Sequence, residues 1–259
     1  MKDLISERYK NDKNILEEIN SYDDFGIFDK PLVLLNTSGL EFFETKDPET
    51  LSSFNVGETD LCKRMVDYLK DKLKAENKDI GIITPYSAQV SNLSHKITQD
   101  EYRGLEISTV DGFQGREKEI IILSLVRSNQ KNQVGFLSDK RRLNVAITRP
   151  RRMLIVIGDI DTITNGNEKE NSFLKNFGEY CNENATNVNI IGTLMEYNEF
   201  EELQSMCVEE KKKEKIEENK KEEKEKNIGN KGKDKGGKKN EDNKGNHKYA
   251  NRGKRKKKK

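Results

Sequence analysis

The sequence predicts an α/β fold in which a buried parallel sheet carries helices on both faces. Two short apolar runs, residues 120–126 and 153–157, are rich in β-branched residues, as is typical of strands that are covered on both sides. Between them, residues 138–148 place apolar side chains at helical spacing behind the capping pair Ser138 and Asp139. A strand, a helix and a second strand in this order form the repeating unit of a parallel sheet.

The preceding residues supply further elements of the same kind. Residues 1–30 carry few apolar side chains and are interpreted as a lead-in with at most a short helix. Residues 31–36, 79–86 and 105–110 predict three more strands. Two amphipathic helices are predicted to cover the sheet, one through Met65, Val66, Leu69 and Leu73 and one through Val90, Leu93 and Ile97.

The composition changes abruptly near the end of the chain. A compact domain is predicted for residues 31–195, and residues 196–259 are predicted to be a charged, largely disordered tail, with a charged helix over residues 197–226 as the ordered alternative. Residues 209–259 carry 22 Lys and Arg against 11 Asp and Glu, a net charge of +11. Because the whole chain carries +2, the residues before this segment carry −9.

The last seven residues, GKRKKKK, permit three interpretations. Such a run is typical of nonspecific nucleic-acid binding and of nuclear-import signals. The third interpretation is a low-complexity extension without a specific partner. We therefore expect a nuclear location, a cytoplasmic one, or both.

An arginine cluster surrounds the second apolar run. A guanidinium group binds two phosphate oxygens at once, so the cluster indicates a phosphate-rich ligand, although a solvated basic helix end is an open alternative. Because loops at the carboxyl ends of parallel strands gather at one edge, we expect the polar residues of this stretch to meet there. The cluster consists of Arg141, Arg142, Arg149, Arg151 and Arg152.

Two longer motifs carry a family resemblance. Residues 110–119, VDGFQGREKE, and residues 141–152, RRLNVAITRPRR, resemble motifs V and VI in the second RecA-like lobe of superfamily 1 helicases. The similar branch contains the nonsense-decay helicase, senataxin and the immunoglobulin-mu-binding helicase, and the segments VRSN and VGFLSD are most similar to the last of these. The resemblance covers about residues 31–185 and implies a RecA-like parallel sheet of the P-loop NTPase class.

The resemblance implies an ATP site shared between two lobes. Arg149 matches the arginine finger, the catalytic residue that reaches the γ-phosphate from the second lobe. Glu117 matches a residue that helps to hold the sugar of the nucleotide, and Gly115 lets the backbone come close to it. Arg142, seven residues before Arg149 and able to share its helix face, completes the nucleotide-binding set.

The resemblance also implies a channel for single-stranded DNA or RNA, with translocation from 5′ to 3′. Ser108 and Thr109 match positions that face the nucleic-acid backbone. Thr84, Tyr86 and Gln89 match the T-P-Y-x-x-Q element on the same side. Tyr86 is also consistent with packing at the strand edge, and this interpretation is favoured over base stacking.

The element S-x-N-x-x-E, formed by Ser53, Asn55 and Glu58, has two interpretations. It resembles an element of the same helicase branch. A polar residue three positions before a glutamate is equally typical of a helix N-cap, which is the interpretation we favour.

Several helicase motifs are absent from this sequence. It has no G-x-x-x-x-G-K-[ST] loop to hold the β- and γ-phosphates, no acidic magnesium motif and no Q-Y-R-M-H-P element. We therefore expect ATP and Mg²⁺ to be bound mainly by a first RecA-like lobe, supplied in cis or in trans. The chain alone is expected to be inactive as an ATP hydrolase.

The remaining composition excludes other classes of site. Cys62, Cys181 and Cys207 show no metal-ligand spacing, and no run of eighteen apolar residues predicts a membrane span or a membrane partner. We predict no metal site in this chain. The competing hypothesis is a noncatalytic nucleic-acid-binding or interaction fragment that acts through its basic tail.

Overall fold

The structure is a computed structural model that describes residues 30–97, 100–166 and 172–233. The predicted lead-in, apart from its last residue, and the end of the basic tail lie outside these residues. In the described part of the chain, no helix is both long enough and apolar enough to cross a membrane.

The centre of the molecule is a six-stranded parallel sheet, which confirms the predicted α/β fold. Its strand order is β5-β4-β6-β7-β1-β8, and every neighbouring pair is parallel. Two further strands, β2 and β3, pair with each other in antiparallel fashion. The strands are β1 (Leu32–Asn36), β2 (Thr45–Lys46), β3 (Ser53–Phe54), β4 (Ile80–Thr84), β5 (Glu106–Thr109), β6 (Lys118–Ser124), β7 (Pro150–Gly158) and β8 (Thr186–Asn187).

Helices cover both faces of this sheet. The helices are α1 (Val56–Leu73), α2 (Ser87–Lys96), α3 (Lys140–Ile147), α4 (Ile160–Thr164), α5 (Ser172–Asn184), the short turn α6 (Ile190–Thr193) and α7 (Tyr197–Lys233). Alternate strand residues point to opposite faces. Val33 and Leu35 of β1 join a core with α1, α2 and α7, whereas Leu32 and Leu34 join a second core with α3, α4 and α5.

Helix α1 begins at the predicted cap. The Asn55 side chain accepts a hydrogen bond from the backbone N–H of Glu58 at 3.0 Å, which confirms the cap interpretation. Glu58 does not complete a reciprocal capping box, since the backbone N–H of Asn55 donates to Gln89 instead. The Glu58 carboxyl group is therefore available for hydrogen bonds with other parts of the protein.

The last described helix is longer than predicted and belongs in part to the core. Helix α7 runs from Tyr197 to Lys233, and its residues Phe200, Leu203 and Cys207 are buried against the first core. The compact unit reaches Ile216, beyond the predicted boundary at residue 195. Most residues of α7 are charged, and for this reason its three buried apolar residues were not identified from the sequence as a face that packs on the core.

The three cysteines are unpaired and buried. Burial raises the pKa of Cys62 well above its ordinary value and raises the pKa of Cys181 and Cys207 to about 12. They act as small apolar residues of the two cores.

We predict that Gly57→Ala lowers the free energy of unfolding. A Cβ atom at this position would lie 2.3 Å from Cγ of the buried Phe42 ring, which itself packs on Phe200 with ring centroids 5.9 Å apart. Overpacking of this kind costs about 1–3 kcal/mol, against a gain of at most about 1 kcal/mol in helix propensity. Urea unfolding of Gly57→Ala measures the difference. Ser91→Ala, at an exposed position of α2, is the control, and an equal or greater stability of Gly57→Ala would contradict the packing argument.

Candidate functional site

The predicted site residues lie at two opposite edges of the sheet, not at one. Helix α3 connects the parallel strands β6 and β7, so it returns the chain from the carboxyl edge to the amino edge. Arg142 lies in its first turn and Arg149 follows its last turn, about 10 Å further along the axis. The expectation that these side chains meet at the carboxyl edge was wrong, because any residue after a crossover helix lies at the amino edge.

Arg149 is held at the amino edge by neutral acceptors. Its Nε–H donates to the carbonyl of Val145 at 3.0 Å, and one terminal nitrogen donates to the carbonyl of Arg116 at 3.4 Å. The other terminal nitrogen donates to Oγ1 of Thr148 at 2.9 Å. The side chain is half-buried, so its direction is fixed while part of the guanidinium still faces solvent.

Four other arginines of this region differ from Arg149 because they are paired with carboxylates, whereas the exposed Arg141 has no ion pair among the described residues. Among the residues that the structure describes, no carboxylate lies within 4.0 Å of the Arg149 guanidinium. Among these residues its positive charge has no direct ion pair that an anionic ligand would have to displace. The paired arginines are Arg116 with Glu106, Arg142 with Asp111, Arg151 with Glu117 and Glu119, and Arg152 with Glu119.

The loop of residues 110–117 joins the two edges. It connects β5 to β6 without a helix, and the fully buried Phe113 fixes its middle in the second core. Gly115 has φ +81°, and a Cβ atom there would have no neighbour within 4 Å, so this part of the loop borders open space. Glu117 lies at the start of β6 and is 3.4 Å from the Nε of Arg151. Gly115, Glu117 and Arg149 thus share the amino edge.

Ser108 and Thr109 lie at the carboxyl edge, half-buried on the outer strand β5. Oγ1 of Thr109 accepts a hydrogen bond from the backbone N–H of Gly112 at 3.1 Å, so its own hydroxyl hydrogen can be donated to a second partner. The loop then presents Asp111, whose carboxylate binds Arg142 at 2.9 Å. Arg142 is therefore placed beside the predicted nucleic-acid residues and not beside Arg149.

Thr84, Tyr86 and Gln89 also lie at this edge, but they are buried. Tyr86 is 3% exposed, its hydroxyl donates to the carbonyl of Val134 at 3.2 Å, and burial raises its pKa to about 12. Gln89 donates to Oγ of Ser124 at 3.0 Å. The packing interpretation of Tyr86 agrees with this placement. The predicted direct contact of these three residues with nucleic acid is not available in this conformation, because each side chain is covered.

A buried network of hydrogen bonds stabilises the chain at the end of β6, at the carboxyl edge. The Glu58 carboxylate accepts hydrogen bonds from Oγ of Ser124 at 2.6 Å and from the backbone N–H of Val126 at 2.9 Å. The Asn55 amide donates to the carbonyl of Val126 at 3.1 Å. Val126 has φ +71°, a strained value for a β-branched residue, and these bonds to both of its backbone groups hold it there.

A second carboxylate network holds the loop that follows β6. Arg127 binds Glu44 at 3.0 Å, and both side chains are almost fully buried. Burial raises the pKa of Glu44 even though the adjacent Arg127 lowers it. Ser128 donates to Asp159 at 2.8 Å, which connects this loop to the start of α4. Both networks fix the chain between β6 and α3.

Two features of this edge were missed in the sequence. The structural role of Glu58 was indicated only by the cap spacing, which does not reveal a buried carboxylate. Phe136, which is 58% exposed beside Tyr86 and Arg142, gave no signal because a single aromatic residue in a loop is not distinctive. In the described part of the chain, no group of three or more His, Cys, Asp or Glu residues is arranged to hold a metal ion.

Comparisons with known proteins show which family this chain resembles over most of its compact domain. The family model of the AAA domain matches residues 3–161. The chain is 51% identical over 159 residues to the DNA polymerase alpha-associated DNA helicase A of Saccharomyces cerevisiae, an alignment that covers 60% of this chain and 22% of that protein. It is 41% identical over 155 residues to the DNA-binding protein SMUBP-2 of Rattus norvegicus, covering 60% and 15%. It is 43% identical over 120 residues to Helicase sen1 of Schizosaccharomyces pombe, covering 44% and 7%. The chain thus spans less than a quarter of the length of each of these three proteins.

We predict that the stability of the protein falls as Glu58 ionises. Burial raises the pKa of Glu58 from 4.5 to about 8, so the folded state binds this proton more tightly than the unfolded chain does. Its stabilising contribution is complete below about pH 4.5 and is lost as the pH rises towards about 8. Glu58→Gln should therefore flatten the decline of the unfolding free energy over this range.

Urea unfolding at several pH values measures this effect. Glu44 contributes a decline of the same sign, so the variant should retain part of the slope. Glu49→Gln, at an exposed position, is the matched control and should leave the slope unchanged. Equal slopes for Glu58→Gln and the wild-type chain would show that Glu58 is ionised in the folded state at neutral pH.

Proposed function

Because this chain belongs to the AAA domain family, within the superfamily 1 helicase branch that its motifs resemble, we propose that it forms the second RecA-like lobe of a two-lobe, ATP-dependent helicase. The first lobe is supplied in cis or in trans. The substrate is single-stranded DNA or RNA, and the resemblance implies movement from 5′ to 3′. A nucleic-acid substrate is supported by the similarity of the chain to a DNA helicase and to a DNA-binding protein.

The observation that carries this proposal is the environment of Arg149. Its guanidinium is fixed in direction by carbonyl and hydroxyl acceptors, and no carboxylate in the described residues neutralises it. A group that is already oriented needs little reorganisation when charge grows on phosphoryl oxygens. Arg116, Arg151 and Arg152 are poorer candidates, since each would have to leave an ion pair first.

The rest of the amino edge fits a nucleotide that is bound chiefly by another lobe. ATP supplies the terminal phosphoryl group that is transferred to water. Gly115 leaves room for a close approach of the ligand to the backbone. The Glu117 carboxylate, which pairs with Arg151 at 3.4 Å, would also accept a hydrogen bond from a sugar hydroxyl. Arg149 would then contact the γ-phosphate, while Mg²⁺ would be held mainly by the first lobe.

The carboxyl edge is suited to the phosphodiester backbone. Thr109 can donate its hydroxyl hydrogen outward, and Ser108 precedes it on the same outer strand. The eight-residue loop 110–117 connects Ser108 and Thr109 to the amino edge, where the nucleotide would bind. A shift of this loop on ATP binding or hydrolysis would thus change the grip on the strand, which is how turnover would be coupled to translocation.

We predict that Arg149→Ala lowers ATP turnover by about 10³- to 10⁵-fold in the two-lobe enzyme. The measurement is a steady-state ATPase assay of the chain with a purified first lobe and single-stranded nucleic acid. Binding of the strand should remain near normal, because Arg149 lies at the edge opposite Ser108 and Thr109. Arg152→Ala, an exposed residue at the start of β7 that pairs with Glu119 at 2.7 Å, is the control and should retain most of the activity.

The same assay tests the shared site. The chain without the first lobe should show no ATPase activity, and addition of the lobe should restore it. Unchanged turnover in Arg149→Ala would remove this residue from the site. ATPase activity of the chain alone would contradict the division of the site between two lobes.

A further inference from the structure

Phe136 is an exposed aromatic ring at the carboxyl edge. It lies on the short 3-10 turn Gly135–Ser138, which precedes α3, and 58% of the residue is exposed. Its neighbour Leu137 is buried, so the turn itself is anchored in the second core. A single exposed apolar ring is common on protein surfaces, and this ring is distinguished by its contacts and by its place at the carboxyl edge.

The ring of Phe136 is supported from two sides. The centroid of the Tyr86 ring lies 5.8 Å away at an interplanar angle of 56°. The Arg142 guanidinium lies 5.4 Å from the Phe136 centroid and is itself held by Asp111 at 2.9 Å. Gly135 has φ +55°, and a Cβ atom there would lie 3.1 Å from the Tyr86 hydroxyl oxygen. The backbone of the turn therefore packs closely against Tyr86.

The same contacts locate the ring beside the predicted strand-binding residues. Tyr86 follows Thr84, the last residue of β4, which is paired with Thr109 of β5. Asp111, which holds Arg142, follows Thr109 by two positions. Phe136 and Thr109 thus lie at the same edge, and Arg142 and Asp111 connect them.

We propose that Phe136 is a stacking platform for a base of the single strand, with Arg142 positioning the ring. This inference rests on the proposed function, because it presumes a strand at the carboxyl edge. The cations Lys140, Arg141 and Arg142 outnumber the carboxylates of Asp111 and Asp139 around the turn, which favours a polyanion over an apolar protein surface as the partner. An aromatic face accepts every base, so the platform would contribute affinity without sequence preference.

The test uses the absence of tryptophan from the natural sequence. Phe136→Trp introduces a single indole whose fluorescence is quenched when a base stacks on it. The full 259-residue chain is titrated with oligothymidylate and with an abasic strand of the same length. Tyr197→Trp, at a residue that is 60% exposed at the start of α7, is the matched control. Fluorescence anisotropy of a labelled strand reports binding independently of quenching.

The expected result is quenching of Phe136→Trp by oligothymidylate, with neither quenching by the abasic strand nor quenching of Tyr197→Trp. Binding without quenching at residue 136, or equal quenching by the abasic strand, would overturn the stacking platform and leave the proposed function intact. No binding of any strand would overturn both. A blue shift that grows with protein concentration alone would show that a second copy covers the ring, and would also overturn the platform.

Phe136→Leu provides a second measurement that needs no probe at this site. It retains an apolar side chain but removes the aromatic face, so the affinity for oligothymidylate should fall by about fivefold or more. The affinity for the abasic strand should stay the same. Equal losses for both strands would indicate a disturbed edge and not a lost stacking contact, and would count against the platform.

Discussion

Parallel pairing of β6 with β7 is the constraint on which the arrangement of both edges depends. Two parallel neighbours require a crossover, and α3 provides it by running back across the sheet. The residues before the helix are therefore held at one edge and those after it at the other. Arg142 therefore lies at the carboxyl edge and Arg149 at the amino edge.

Internal hydrogen bonds stabilise an unfavourable backbone conformation at the carboxyl edge. Val126 adopts a positive φ, and the carboxyl group of Glu58 is buried beneath it. Both features cost stability, and one oxygen of Glu58 has no hydrogen-bond partner among the described residues. These interactions fix the direction in which the chain leaves β6. They thereby fix the positions of the turn that carries Phe136 and of the first residues of α3. Rigidity at this edge is obtained at the expense of global stability.

Most of the fold was predictable from the sequence, because the strands and helices repeat at periods that burial imposes. Continuous apolar runs identified β6 and β7, and the spacing of Asn55 and Glu58 identified the start of α1. The burial of Tyr86 and Gln89 was harder to predict. The identity of a polar residue does not show whether its side chain binds a ligand or a neighbouring residue inside the protein. The position of Arg149 relative to Arg142 followed from topology, which local spacing does not contain. The core contribution of α7 was hidden by the charged residues that surround Phe200 and Leu203.

The burial of the cysteines makes the native chain a convenient background for chemical labelling. Cys62, Cys181 and Cys207 have almost no thiolate at neutral pH, because burial raises the pKa of each thiol, and reagents attack the thiolate. A cysteine introduced at either edge of the sheet would therefore react first and carry a dye without removal of the natural ones. Slow modification of the natural thiols would then measure how often each core opens, separately on the α1 side and the α5 side of the sheet.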